Sequence, residues 1–387
     1  MTVYDFSTPL DRRAHDSDKW LRYPADVLPM WVADMDFACA PEIMDALRER
    51  LAHPVLGYTK PPPALKAAIA ADMGARYGWA VEPDWVTFVP GVVPGLNLAM
   101  KMLAAERPGQ GVTVQTPSYP PILAVPLRWG FERHDVELTA TAAGPVLDRD
   151  RLTAALGRSA AFILCNPQNP TGKVYARDDL TAIAEACLAR DVLVVADEIH
   201  SDLVFDGRRH VPFASLSPEI AARTITFMSA AKTYNVPGLH TAYAIIADKA
   251  LRDRFETARD GLVGTGDLLG YTATHAAVTR AGPWRSALLR VLEASRDHLV
   301  AELRRRFPSI RVTAPEGTYL AWLDCSALGI PGEVQEAFLR HGRVAFSPGS
   351  SFGAGFETHA RFNFGCPRPQ IDDALDRMEA ALAAMAR

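Results

Sequence analysis

Residues 224–235 read TITFMSAAKTYN, an apolar run that leads directly into Ser229 and Lys232. Most lysines are solvated, but a lysine at the end of a buried strand loses solvent, and nearby cations lower its pKa further. Its amine can then act as a nucleophile toward an aldehyde. A serine three residues before a lysine also occurs in serine acyl-transfer enzymes, but their K-T-G and S-D-N strings do not occur in this sequence. The segment therefore predicts a strand that ends at a reactive lysine.

The same arrangement occurs three more times earlier in the chain. Apolar runs lead into polar clusters at 112–115 before TPSYP, at 161–165 before NPQNPTG and at 192–196 before DEIHSD. A further run covers 242–247, and helical stretches such as 95–103 and 178–189 lie between the runs. This alternation predicts an α/β fold with a mainly parallel, mixed sheet that helices cover on both faces. Open α/β sheets bind ligands at the carboxyl ends of their strands, so the four clusters predict one site.

The pattern changes after residue 282. A long helical stretch over 284–306 is followed by a strand over 319–323, a further helix, a strand over 361–364 and a last helix over 371–384. These elements predict a smaller α+β domain, which the N-terminal segment completes. We expect a large, ligand-binding domain over 46–282 and a small domain made of 1–45 and 283–387.

Composition excludes several classes of protein. Of the 387 residues, 49% are hydrophobic and 22% charged, and the net charge is −4, so a large core is expected and a nucleic-acid partner is not. The five cysteines are scattered without a C-x-x-C pair, which argues against a disulfide framework or a cysteine zinc site. The start, MTVYDFSTPLDRR, has no apolar signal-peptide core, and no run is long enough to cross a bilayer. We expect a cytoplasmic protein without a membrane partner.

Asp197 follows its apolar strand directly and allows three interpretations. It can be the N-cap of the next element, or a metal ligand together with His200 and Asp202. It can also be the carboxylate that pairs with a pyridinium nitrogen and keeps a cofactor ring protonated. The reactive lysine that follows favours the third interpretation, and we expect no metal.

The order of these motifs resembles fold-type I enzymes that use pyridoxal 5′-phosphate (PLP), in the aminotransferase class I/II superfamily. The shared elements are the NPTG string at 169–172, Asp197 and the S-x-x-K string at 229–232, and the resemblance covers essentially the whole chain. More narrowly, the chain is similar to the cystathionine β-lyase (C–S lyase) branch. The strings that carry this similarity are MWVADMDF at 30–37, GYT at 57–59, CNPQNPTGKV, DEIHSD, SAAKTYNVPGL and RFNFGCPR.

The resemblance implies roles for the residues around the cofactor ring. Lys232 is expected to form the Schiff base with PLP and to move the substrate Cα proton. Asp197 is expected to pair with the pyridinium nitrogen, Asn169 to bond to the phenolic oxygen and Tyr119 to lie over the ring. His200 is expected either to contact the ring region or to cap the strand end.

The resemblance also implies how the phosphate is held. The segment Gly91, Val92 and Val93 precedes a helix, so its backbone N–H groups and the helix dipole are expected to bind the phosphate. Ser229 is expected to add a hydroxyl. Tyr58 is expected to reach the phosphate, and to act in catalysis, from the other subunit of a homodimer whose two sites are shared across the interface.

The expected substrate is an amino acid. Arg361, in RFNFGCPR, resembles the arginine that binds the α-carboxylate, for which a bidentate guanidinium is well shaped. Tyr119, Asn169 and the backbone around Ala33 are expected to line the same pocket. Asp34 and Asp36 belong to the MWVADMDF string, but we expect them to shape this loop rather than to react.

Two positions depart from the family pattern. His240 stands eight residues after the lysine, where many aminotransferases have an arginine that binds the phosphate, which weakens an aspartate-aminotransferase assignment. Pro237 stands where the lyase branch more often has a small residue. The resemblance implies a C–S β-lyase that converts cystathionine or a related cysteine S-conjugate to thiol, pyruvate and ammonia. Two alternatives stay open: an aminotransferase of an L-amino acid, and a PLP-binding protein that regulates through protein contacts.

Overall fold

The computed structural model describes residues 4–141 and 144–385. Its β-strands are β1 (Leu28–Pro29), β2 (Val86–Val89), β3 (Gly111–Thr116), β4 (Glu132–Glu137), β5 (Thr139–Thr141), β6 (Gly144–Val146), β7 (Ser159–Cys165), β8 (Leu193–Asp197), β9 (Thr224–Met228), β10 (Ala242–Ile245), β11 (Arg311–Val312), β12 (Leu320–Asp324), β13 (Val344–Ala345), β14 (Ser347–Pro348) and β15 (His359–Asn363).

The α-helices surround these strands. They are α1 (Asp18–Leu21), α2 (Pro41–Leu51), α3 (Pro63–Tyr77), α4 (Val92–Glu106), α5 (Pro120–Arg128), α6 (Arg149–Leu156), α7 (Arg177–Leu188), α8 (Pro218–Ala221), α9 (Ala230–Thr233), α10 (Lys249–Arg259), α11 (Leu268–Thr279), α12 (Gly282–Arg306), α13 (Val334–Gly342) and α14 (Arg368–Met385).

The largest sheet has seven strands in the order β2-β10-β9-β8-β7-β3-β4. Five neighbouring strands, β9, β8, β7, β3 and β4, run parallel to one another, and β10 is antiparallel to both of its neighbours, β9 and β2. The predicted mainly parallel, mixed sheet is therefore confirmed. The short strand β2, which the sequence patterns did not predict, extends it beyond β10.

Burial on both faces explains the continuous apolar strands of this sheet. Within β7, Ile163 packs into the core that contains α4, α5 and α10, while its neighbour Phe162 packs into the core that contains α6 and α7. Successive side chains of a strand point to opposite faces, so a strand covered on both sides is apolar throughout. Gly95 allows α4 to approach the sheet, because a Cβ atom there would lie 2.3 Å from the ring of Phe227 in β9.

A second, antiparallel sheet has the order β11-β12-β15-β14, with α12, α13 and α14 packed around it. The N-terminal segment joins this region because β1 pairs in parallel with β13, with Leu28 opposite Val344. These contacts support the expected grouping of the first and last parts of the chain. The boundaries at residues 45 and 282 stay predictions.

Most predicted elements lie within a few residues of those observed, with one difference that affects the site. The helix expected from residue 95 begins at Val92, and Gly91 is its N-cap. Val92 and Val93 therefore do not precede the helix but form its first turn, where backbone N–H groups have no intrahelical partner. Among the described residues, no helix is both long and apolar enough to cross a membrane.

Candidate active site

Lys232 lies at the edge predicted from the sequence, just beyond the carboxyl end of β9. The short helix α9 holds it there, and Ser229 caps that helix by accepting a hydrogen bond from the backbone N–H of Ala231 at 3.0 Å. The Ser229 hydroxyl donates to the carbonyl of Thr241 at 2.7 Å. Since this donor is already used, the predicted contact of Ser229 with a phosphate stays a prediction. The observed role of the serine is to fix the turn that carries the lysine.

The ε-amine of Lys232 donates to an uncharged group. Its Nζ lies 2.7 Å from the carbonyl oxygen of Ala33, in the segment that precedes α2. Burial and the guanidinium of Arg361 lower the pKa of Lys232 to about 8, although Asp34 and Asp197 act in the opposite direction. A lysine in this state has an appreciable fraction of neutral amine near neutral pH, as a nucleophile or a base requires.

Asp197 ends β8 and is only 4% exposed. Burial raises the pKa of its carboxyl group to about 6, and the backbone N–H of Ile199, which donates to Oδ1 at 3.2 Å, partly offsets this effect. His200 is buried beside it, with its ring 6.0 Å from the ring of Tyr319. Burial, Lys232 and Arg361 lower the pKa of His200 to about 3, so its ring is neutral at neutral pH.

Arg361 extends from β15 into the same region and is 4% exposed. Its Nη1 donates to Oδ1 of Asn169 at 3.0 Å, and its Nη2 donates to the Trp31 carbonyl at 2.8 Å and to Oγ of Ser347 at 3.0 Å. Its guanidinium carbon Cζ also lies over the ring of Phe352, 4.9 Å from the ring centroid. Burial lowers the pKa of Arg361 to about 10, which leaves the group charged at neutral pH.

The segment 31–37, which we call the carbonyl loop, faces these side chains with its backbone. Asn363 donates to the carbonyls of Val32 and Asp34 at 2.6 and 2.7 Å. Asn235 donates to the carbonyls of Met35 and Phe37 at 2.8 and 2.7 Å. Side chains distant in sequence therefore fix the loop. The lining role expected for the backbone around Ala33 stays a prediction.

The acidic residues of the carbonyl loop, Asp34 and Asp36, form a dense polar cluster with Arg12 and Lys19. Asp36 accepts from Nζ of Lys19 and from Nη1 of Arg12, both at 2.7 Å. Trp20 and Gln370 also donate to it, at 2.8 and 2.7 Å. Burial raises the pKa of Asp36, but these partners outweigh it and hold that pKa below its ordinary value. The cluster fits the expected role of Asp34 and Asp36 in shaping the loop.

The remaining predicted residues are the segment expected to hold the phosphate and the two tyrosines. Gly91, Val92 and Val93 form the N-terminal end of the fifteen-residue helix α4, whose backbone N–H groups make it a suitable place for an anionic group. Tyr119 is the N-cap of α5, and burial, with Asp197 adding to it, raises its pKa. Tyr58 is fully exposed and belongs to no helix or strand, so one chain does not bring it to the site.

The arrangement can be tested against the metal and PLP interpretations. Asp202 is ion-paired to Arg76 and accepts from Tyr77 at 2.8 Å, and no group of three or more potential ligands among the described residues could hold a metal ion. PLP fits the donor set, since an amine, a buried carboxylate and a helix N-terminus lie at one sheet edge. Nε of Arg361 and Nδ1 of His200 are also buried without a hydrogen-bond partner in the described part of the chain, which suits a pocket that receives polar groups.

Several residues of the site were not found from the sequence. The hydroxyl of Tyr319 bonds to the Ala33 carbonyl. Arg361 bonds to Ser347 and to the Trp31 carbonyl, and Ser347 bonds to that carbonyl as well. These bonds join distant parts of the chain. Asn235 and Asn363 were within quoted strings, SAAKTYN and RFNFGCPR, but nothing in those strings indicated their backbone partners.

Comparison with known proteins places this site in a family. The chain is 38% identical to the cystathionine beta-lyase PatB of Bacillus subtilis (strain 168), over 98% of this chain and 100% of that protein. It superposes with a TM-score of 0.95 on cystalysin of Treponema denticola, whose crystal structure contains PLP, at 30% identity over 99% of this chain and 100% of cystalysin. The TM-score is 0.92 with the PLP-bound C-S lyase of Staphylococcus hominis, at 28% identity over 98% of this chain and 99% of that one. The sequence profile named "Aminotransferase class I and II" matches residues 25–378. The chain belongs to the aminotransferase class I and II family.

Proposed function

We propose that the protein is a PLP-dependent C–S β-lyase, which cleaves cystathionine or a related cysteine S-conjugate. One observation carries the proposal: Lys232, Asp197 and Arg361 converge at one sheet edge in a chain that is 38% identical along its length to a cystathionine beta-lyase. When bound, PLP supplies an electron-withdrawing ring that stabilises negative charge at the substrate Cα atom. The roles of the individual side chains below are parts of the same proposal.

Arg361 orients the substrate. Its guanidinium is charged, buried and held by Asn169, Ser347 and the Trp31 carbonyl, and its Nε has no partner in the described chain, so it offers a carboxylate a fixed cation with a free donor. The cost of ordering the arginine is already met within the fold, which favours binding of the α-carboxylate in one geometry.

Lys232 and Asp197 divide the proton chemistry. The neutral amine of Lys232 accepts the proton from the substrate Cα atom, and burial keeps enough of that amine neutral. Asp197, in its ionised form, would hold a proton on the ring nitrogen of a bound cofactor, and Tyr119 would lie against its ring. The side-chain oxygen of Asn169 accepts a hydrogen bond from Arg361, so Asn169 connects the arginine that binds the substrate to the part of the site that holds the cofactor.

The lyase reaction consumes one water molecule and needs no second amino acceptor. The C–S bond breaks, sulfur leaves as a thiol, and the remaining three-carbon unit is hydrolysed to pyruvate and ammonia. An aminotransferase would use the same three residues, but the amino group of the substrate would stay on the cofactor and a 2-oxo acid would be required to accept it. The full-length similarity to cystathionine beta-lyase favours cleavage.

A homodimer with shared sites completes the proposal. Tyr58 is fully exposed, and Leu51, Val55 and Leu56 close to it in sequence are more than half exposed. Exposed apolar side chains in one short segment indicate a surface that associates with another protein. A second copy of this chain would cover them and bring Tyr58 of one subunit to the phosphate held at the start of α4 in the other.

The cytoplasm is the proposed location. All five cysteines are free and four of them are buried, an arrangement that persists most readily in a reducing compartment.

The function is tested with purified protein, PLP and L-cystathionine, without a 2-oxo acid. Pyruvate is measured through lactate dehydrogenase and thiol with a chromogenic disulfide. Equal amounts of pyruvate and thiol are expected. If turnover of the amino acid occurs only after a 2-oxo acid is added, the protein is an aminotransferase; if neither occurs while PLP is bound, a regulatory role gains support. Gel filtration with and without Tyr58→Ala measures the oligomeric state.

A further inference from the structure

The carbonyl oxygen of Ala33 is held by two donors at once. Nζ of Lys232 donates to it at 2.7 Å, and the hydroxyl of Tyr319 donates to it at 2.9 Å. A carbonyl oxygen has two lone pairs, so the two donors occupy both of them. The direction in which Lys232 points therefore depends on the orientation of this carbonyl. The hydroxyl of Tyr319 helps to set that orientation.

Tyr319 is well suited to fix that orientation. Its side chain is 1% exposed, and burial, with Asp34 adding to it, raises its pKa, so the hydroxyl stays protonated and remains a donor. Its backbone is fixed as well. The carbonyl of Tyr319 accepts from the N–H of Phe364 at 2.9 Å, and the N–H of the preceding Thr318 donates to Leu203 at 2.7 Å.

The rest of the carbonyl loop cannot replace this contact. The asparagines at 235 and 363 bind the carbonyls on either side of Ala33 but not that of Ala33 itself. Within the described chain, the hydrogen-bonding side chains on the Ala33 oxygen are thus the lysine and the tyrosine. If the hydroxyl were absent, Lys232 would be the one hydrogen-bonding side chain left on the Ala33 oxygen in the described chain, beside the backbone bond from the N–H of Asp34 to the Val32 carbonyl.

We propose that Tyr319 is a positioning residue, which holds the Ala33 carbonyl so that this oxygen aims the ε-amine of Lys232. One N–H of the amine bonds to the fixed carbonyl, and the nitrogen lone pair is then directed to the atom that it must attack or deprotonate. The inference rests on the proposed function only in that Lys232 moves the Cα proton; it does not require cleavage of a C–S bond.

The variant Tyr319→Phe removes the hydroxyl and keeps the ring that packs edge-on to His200. A matched control is Tyr4→Phe, which removes a phenol hydrogen bond of 2.6 Å to Glu42 outside the carbonyl loop. Both holoenzymes and the wild type are incubated with L-alanine in D₂O, and proton NMR measures the exchange of the Cα hydrogen. Alanine has no leaving group on its β-carbon, so exchange reports proton transfer alone.

Tyr319→Phe is expected to slow the exchange about tenfold, since loss of one orienting hydrogen bond misaligns the reacting nitrogen. The dissociation constant of alanine, the PLP content and the melting temperature are expected to stay at wild-type values, and Tyr4→Phe to exchange at the wild-type rate. A second measurement mixes cofactor-free protein with PLP and follows the visible absorbance of lysine-bound PLP. It should develop about tenfold more slowly in Tyr319→Phe, with the same final amplitude.

Equal rates in Tyr319→Phe and the wild type in both measurements would overturn the inference. It would also be overturned if the rates fell only together with PLP content and melting temperature, because a general structural role would then suffice. If Tyr319→Phe slows alanine exchange while wild-type protein makes no pyruvate from cystathionine, the role of Tyr319 is supported and the lyase function fails.

Discussion

The protein contains two regions where a lysine and an aspartate are partly or wholly withdrawn from solvent, and they are built in opposite ways. Lys19 and Asp36 lie 2.7 Å apart with their side chains 0% and 3% exposed. Lys232 instead donates to an uncharged carbonyl, and Asp197 accepts from a backbone N–H. Lys19 and Asp36, which we call the closed pair, are bonded directly inside a cluster that also contains Arg12 and Asp34. Lys232 and Asp197 share a site without a direct bond between them.

The difference shows in their acid–base properties. The pKa of Asp36 is lowered because Lys19, Trp20 and Gln370 outweigh its burial. The pKa of Asp197 is raised to about 6, and that of Lys232 lowered to about 8, because burial is not compensated in this way. A buried charge that is fully paired stabilises the carbonyl loop, whereas one that is left under-paired is available for a ligand and for proton transfer.

The largest expected effect is the loss of turnover in Lys232→Ala. Removal of the amine eliminates both the cofactor linkage and the base, so kcat should fall by about 10³-fold or more. The free energy of unfolding of the cofactor-free protein should not fall and should rise at neutral pH, since no ion pair is broken and an ammonium whose pKa is lowered by burial is removed. Steady-state kinetics and urea denaturation measure the two quantities. Substantial residual turnover would remove Lys232 from the mechanism.

The opposite outcome is expected in the closed pair. Asp36→Leu removes the carboxylate that lies 2.7 Å from the buried Lys19 ammonium and leaves it only Asp34 at 3.8 Å, which should lower the free energy of unfolding by about 3–5 kcal/mol. The double variant Lys19→Met/Asp36→Leu removes both charges and should regain part of that loss. Urea denaturation of the three proteins at pH 7 measures this. A double variant that is less stable than Asp36→Leu would contradict the ion-pair explanation.

Asp197→Asn should stabilise the cofactor-free protein while impairing the enzyme. Folding raises the pKa of Asp197 above its unfolded value, so its contribution to stability is complete below about pH 3.8 and is lost as the pH rises to about 6. Above that pH the buried carboxylate costs up to about 3 kcal/mol, which asparagine avoids. Unfolding free energies of both proteins between pH 4 and 8 should diverge as the pH rises. Parallel curves would show that the carboxylate is not penalised.

The smallest of these effects is expected for Arg361→Lys, which keeps the charge but loses the fork of donors. A lysine cannot donate to Asn169, Ser347 and the substrate carboxylate at the same time, so kcat/KM should fall about 10–100-fold, mainly through a higher KM. The visible absorbance of bound PLP should stay unchanged, because Arg361 is assigned to the substrate. A drop confined to PLP affinity would reassign the arginine to the cofactor.

The sequence predicted the parts of the site that are encoded locally. Lys232, Asp197 and Asn169 each follow an apolar strand, and the parallel order of the strands brings them to one edge. The contacts of Tyr319, Lys19 and Asn363 could not be predicted in this way, because each joins segments that are far apart in the chain and carries no local pattern. The start of α4 was misplaced for a related reason: Val92 and Val93 are apolar residues in a first turn, where capping rather than periodicity sets the helix boundary.

The pairing of β1 with β13 sets the order in which the molecule can be assembled during synthesis. Leu28 meets Val344, and the carbonyl loop that follows β1 is fixed by residues as late as Asn363 and Gln370. The seven-stranded sheet uses residues 86–245 and can form while the rest is still being translated. Strand β1 must wait, unpaired, until nearly the whole chain has left the ribosome, and closing so long a loop carries an entropic cost. Asn235 can bond to the carbonyl loop early, but the bonds from Tyr319 and Asn363 form only after those residues have been made, so an incomplete chain does not carry an assembled catalytic centre.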